Sequence, residues 1–181
     1  MNTFQNLLGN NMDVFMQMFL NYSPDFRMAF ITTDNPTFQG GMIIDSRSVD
    51  PVREAVDIID NIGIWGSGLE KGLEMFQECL EHGECGNMMR RDATLVAIFL
   101  SDVPYNSGLI MNDLYTAIDR LRPLGTFVPY AIIGDVPGGC HTHPHIAQPG
   151  YGYWDLVQQY TSQFLHPYKS HRLLDVVRDR L

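Results

Sequence analysis

Three apolar runs of eight residues, each closed by an aspartate, constrain this chain more than anything else in it. Phe26-Arg-Met-Ala-Phe-Ile-Thr-Thr33 precedes Asp34, Thr94-Leu-Val-Ala-Ile-Phe-Leu-Ser101 precedes Asp102, and Phe127-Val-Pro-Tyr-Ala-Ile-Ile-Gly134 precedes Asp135. Runs of this length, bounded by turn residues, suit strands buried on both faces, as in a parallel sheet. Gly40-Gly-Met-Ile-Ile-Asp45 is a shorter strand candidate for a sheet edge. Between the runs the period changes. Phe4, Leu7, Leu8, Met12, Phe15 and Phe19 recur at three- and four-residue steps and predict a helix over about residues 3–20. Asp50-Pro51 pairs an N-cap carboxylate with proline at the first helical position, which predicts a helix to about Asn61. Ser67-Gly-Leu-Glu70 has capping-box spacing ahead of Leu69, Leu73, Phe76 and Leu80, so a further helix is predicted to near Gly83. Leu114, Ile118 and Leu121 predict another between Asn112 and Arg122, and Tyr153–Phe164 and Ser170–Leu181 also read as helical. Strands alternating with helices make the class α/β.

At 181 residues, with 45% apolar and 18% charged, the chain has room for one domain with a real core and is not a disordered one. No apolar run approaches the roughly 18 to 20 residues of a membrane helix. Met1-Asn-Thr-Phe-Gln-Asn6 lacks a basic region before an apolar stretch, so no signal peptide is read and a soluble protein is expected, cytoplasmic or part of a virion-like assembly. A formal charge of −9 repels a phosphate backbone, which excludes nucleic acid as a partner without a strong basic patch. Cys79, Cys85 and Cys140 do not make a disulfide framework. Cys79 and Cys85 are close enough in sequence to pair, and a reducing compartment explains them equally well.

In an open parallel sheet, ligands bind beyond the carboxyl ends of the strands. Thr32-Thr33-Asp34, Ser101-Asp102 and Gly134-Asp135 therefore gather oxygen donors on one rim if their strands are parallel neighbours. Hard donors of this kind suit Mg²⁺ or Ca²⁺. An aspartate after a strand also caps turns, which is the plainer reason for any one of them. Ser67, flanked by Gly66 and Gly68, reads first as a helix cap and second as a hydroxyl beside a ligand-accessible backbone. Cys140-His141-Thr-His143-Pro-His145 groups imidazoles, but its spacing differs from structural zinc sites and an exposed polar loop is expected. There is no Gly-x-Ser-x-Gly elbow, phosphate loop or Gly-x-Gly-x-x-Gly motif.

Phe26 to Asp34, Gly66-Ser-Gly-Leu-Glu-Lys-Gly-Leu-Glu74 and Ala93 to Asp102, in that order, resemble a von Willebrand factor A-type domain of the bacterial and phage branch. The likeness covers about residues 1–160. It implies a three-layer, doubly wound, mostly parallel sheet with helices on both faces and a metal-ion-dependent adhesion site at the strand ends. Asp102 matches that site's third motif. At the second, Leu69 stands where the family has Thr, and Ser67 is the nearby hydroxyl. The first motif, Asp-x-Ser-x-Ser after a central first strand, has no counterpart, so that strand is missing or supplied from elsewhere. Residues 1–165 are read as the domain and 166–181 as a helical tail; Lys169, His171, Arg172, Arg178 and Arg180 make that tail locally basic.

The expected function is a non-enzymatic protein-binding or adhesion module. Its candidate metal ligands are Asp102, Ser67, Thr33 and Asp34, its cofactor is Mg²⁺ or Ca²⁺ in an incomplete site, and its partner is a protein, with a homo-oligomer or larger assembly as a variant. A metal-dependent hydrolase or phosphotransfer enzyme on the same rim is the alternative; against it, Arg27 and Arg91 sit toward the opposite strand ends. A purely structural subunit is the third reading, and it predicts an apolar patch left bare by the absent strand.

Overall fold

The computed structural model describes residues 2–22, 25–63, 70–122, 125–142 and 145–161, which form a mixed α/β arrangement around two apolar cores. The first core is built by the N-terminal third. Helix α1 (Asn2–Tyr22) buries Met12 and Met16 against helix α2 (Pro51–Ile62), which contributes Ala55 and Ile58. The start of α2 follows from its sequence: Asp50 accepts the Arg53 backbone N–H at 3.0 Å, and Pro51 costs no hydrogen bond there. Strands β1 (Arg27–Met28) and β2 (Ile44–Asp45) pair antiparallel beneath the helices, and Phe26 and Ile44 complete the core. Phe19 meets Phe26 edge-on at 5.2 Å.

The run from Phe26 to Thr33 is thus not a strand buried on both faces. Only Arg27 and Met28 pair, and Thr32 to Asn35 closes a tight turn through Thr32 N–H to Asn35 O at 3.3 Å. Arg27 explains part of the difference. Its guanidinium reaches out to the Met88 carbonyl at 3.1 Å, so one face of the strand is polar.

The second core lies under a parallel pair, β3 (Leu95–Leu100) and β4 (Phe127–Ile132), with Leu95 opposite Phe127 and Leu100 opposite Ile132. Helices α3 (Gly72–Glu81), α5 (Met111–Leu121) and α6 (Tyr153–Thr161) cover one face of it. Phe76 stands edge-on to Phe99 at 5.4 Å and stacks on Phe127 at 5.9 Å, while Tyr160 closes on Phe127 at 4.8 Å. Arg122, 4% exposed, ties the two strand starts together by donating to the carbonyls of Arg90, Ala93 and Thr126.

The opposite face of this pair is a correction to the sequence reading. Val96 is 50% and Ile98 46% exposed, so β3 is buried on one face only. Among the described residues the strands form three separate two-stranded pairs, the third being the antiparallel hairpin β5 (Cys140–Thr142) and β6 (His145–Ala147) inside the segment read as a loop. No helix among the described residues is long and apolar enough to cross a membrane.

A seam joins the two cores. Cys79 and Cys85 form a disulfide that holds helix α4 (Cys85–Met88) against the end of α3. From this segment Glu84 accepts the Phe38 backbone N–H at 2.6 Å, Met88 accepts Arg27, and Arg90 pairs with Asp25 at 2.6 Å.

Candidate functional site

Three chain segments bring oxygen donors to the carboxyl end of β3. The turn after β1 carries Thr33 and Asp34, the loop after β3 carries Asp102, and the lead-in to α3 carries Glu70. Glu70 is half-buried, and its carboxyl is pushed above the usual carboxylate range. Burial is the main cause, followed by the charges of Asp102 and Asp34; the nearby Thr33 side chain pulls the other way. Among the described residues, Glu70 Oε2 is buried without a hydrogen-bond partner. A carboxylate that is partly desolvated, faced by two like charges and left with an unpaired oxygen favours a proton or a cation at that oxygen.

Backbone contacts fix the geometry. Asn106 N–H donates to Glu70 O at 3.1 Å, and Gln148 N–H donates to Asp102 O at 2.8 Å, so the loops after β3 and β6 are both anchored at the rim. Ser101, buried at the strand end, donates through Oγ to Val103 O at 2.8 Å and turns the chain there. Glu70, Val103, Pro104, Tyr105, Asn106 and Gln148 line an open cleft of about 350 Å³. Behind Glu70 lies Tyr153, 1% exposed, whose hydroxyl is raised well above the ordinary tyrosine range by burial and then by Glu70. That hydroxyl lies beside Ser101 and Gly72, which pull the other way, yet neither contact has full hydrogen-bond geometry. Gly72 is required at this point because a Cβ would fall 2.6 Å from the Tyr153 oxygen.

Of the sequence candidates, Thr33, Asp34 and Asp102 therefore all bear on one carboxyl group, and Asp34 and Asp102 each make further interactions. Ser67 lies outside the described residues. Asp135 is exposed, and its carbonyl accepts the Gly139 N–H at 2.6 Å; its charge is not among those that move Glu70. The sequence spacing does not bring Glu70 to this rim. Capping-box spacing assigns it to the first turn of a helix, but the helix is capped by Lys71 and begins at Gly72, which leaves Glu70 outside it and facing the rim.

The donors are hard oxygens, which suit Mg²⁺ or Ca²⁺ by type. Among the described residues no three Asp, Glu, His or Cys side chains are grouped so as to hold an ion. In the hairpin, His141 Nε2 bonds Gly138 O at 2.9 Å, and His143 lies outside the described residues. Compared with protein families, with curated proteins and with solved structures, the chain matches none of them.

Proposed function

We propose that this chain is a protein-interaction module of the von Willebrand factor A type, contacting its partner through the acidic rim. The observation that carries the proposal is the convergence of Thr33, Asp34 and Asp102 on Glu70 from separate segments. Clustered carboxylates at a strand-end rim lower the stability of the fold, and a binding surface gives a reason to keep them. In this reading Mg²⁺ or Ca²⁺ binds jointly, with Glu70 and Asp102 on one side and a carboxylate or carbonyl of the partner on the other. Joint coordination is the form that one or two carboxylates of a rim can take, since sites for these cations often draw ligands from more than one source. A three-layer, doubly wound arrangement belongs to the same proposal.

A second reading, a structural subunit of a larger assembly, draws support from the half-bare Val96 and Ile98. Calorimetric titration with Mg²⁺ and with Ca²⁺ separates the two. The adhesion reading expects weak binding to the chain alone, lost by roughly tenfold or more in Asp102→Ala. Absence of binding, or binding indifferent to that change, removes the cation from the proposal.

A further inference from the structure

The two outer edges of the β3–β4 pair are treated differently. Leu95 N–H donates to Thr126 O at 2.8 Å and Ser101 N–H to Ile132 O at 3.1 Å, so in this parallel ladder the odd-numbered residues of β3 bond β4. The backbone groups of Val96, Ile98 and Leu100 consequently point away from β4. Among the described residues, no strand pairs with that edge. In β4 the same rule turns Phe127, Pro129 and Ala131 outward, and Pro129 has no N–H to offer. Proline is a common device for closing an edge to strand addition. The edge of β3 has no such device. From Thr94 to Ser101 it carries no charge and no proline, and its β-branched Val96 and Ile98 stand half in solvent.

We propose that the outer edge of β3 is a strand-docking site for an extended, apolar segment of a protein partner that carries lysine or arginine at its rim end. Main-chain pairing with Val96, Ile98 and Leu100 supplies the register, and alternate side chains of the segment cover the bare apolar face. Charge selects the occupant. The edge is neutral along its length but ends at Asp102, Asp34 and Glu70, so a basic flank is complementary there. A second copy fits less well: it brings another net charge of −9 and, as its own strand, one flanked by an aspartate. The edge itself stands independently of the proposed cation; only the basic flank draws on the rim.

The test uses the full chain and a fluorescent peptide of alternating valine and threonine, with two lysines at one end, followed by anisotropy. Saturable binding is expected, and a peptide with glutamates in place of the lysines should bind roughly fivefold more weakly. Ile98→Pro removes one outward N–H and should abolish binding. Because proline in a strand risks the fold, the double change Val96→Lys with Ile98→Lys, checked by circular dichroism, is the second variant and should weaken binding at least tenfold. Absence of peptide binding, equal binding by the lysine variant, or self-association through β3 that the peptide cannot displace would each overturn the proposal. Peptide binding without cation binding would leave the docking edge standing and remove the metal reading alone.

Discussion

Replacing Glu70 by glutamine probes the rim through stability. In the folded chain the Glu70 carboxyl titrates above its ordinary value of 4.5, because burial and the charges of Asp102 and Asp34 oppose ionisation. Below that ordinary value the residue is protonated in both states and costs nothing. As pH rises, the unfolded chain releases its proton first, so the folded chain holds more protons and stability falls. The loss is complete once the pH passes the raised folded value, and the penalty is then constant. Its size follows from one partly buried, unpaired carboxylate oxygen, about 1 kcal/mol after solvent screening is allowed for. Glu70→Gln should therefore raise Tm at pH 7 by roughly 2–4 °C. At pH 4 the difference should vanish. Calorimetric melts from pH 4 to 8 measure it directly. Asp45, held low by Arg47, and Glu81, held low by Gln77, slope the opposite way, but they are common to both proteins and cancel in the comparison. If the chain binds Mg²⁺ at the rim, saturating ion should stabilise the unmodified chain and not the variant. A lower Tm for Glu70→Gln at pH 7, or melting curves that stay parallel across the range, would refute the assignment of Glu70 as a strained site residue.

Two other changes address the frame that holds the rim. Removing the Cys79–Cys85 cross-link by serine at both positions frees a loop closed over a separation of 6, which by chain entropy costs about 2 kcal/mol; amide exchange should rise first at the seam residues Phe38 and Met89, and an unchanged Tm under a dithiol reductant would contradict this. Gly134→Ala would set a Cβ 2.1 Å from Gln148 O and 2.9 Å from Ala147 O, both backbone atoms, so a loss of about 1–3 kcal/mol in urea unfolding is expected, and an unchanged midpoint would count against the packing of this loop.

What the sequence revealed and what it hid divide along physical lines. Asp50-Pro51 announced α2 because capping chemistry is local, and Leu73, Phe76 and Leu80 announced α3 because a helix repeats its buried face. Phe26 to Thr33 misled because hydrophobicity does not record pairing: two residues find a partner strand, and Phe26 is buried without a ladder. Val96 and Ile98 misled for a related reason. An apolar run signals that a face is meant to be covered, but not that anything in the described residues covers it. That Thr33, Asp34 and Asp102 gather near one rim was legible from their positions at the ends of apolar runs. Glu70 was hidden by a one-turn shift of the start of α3, which no spacing rule resolves. Asn106 and Gln148 enter through their backbone, and side-chain type carries no trace of that.

The interaction rim is tested most directly by mapping backbone amide shifts in the ¹⁵N-labelled chain as Mg²⁺ or Ca²⁺ is added. If the rim is one site, the amides of Thr33, Asp34, Glu70 and Asp102 shift together and saturate along a single curve. Shifts confined to the exposed carboxylates of other segments, such as Asp57 and Asp60 on α2, or a response of Asp102 without Glu70, would contradict it.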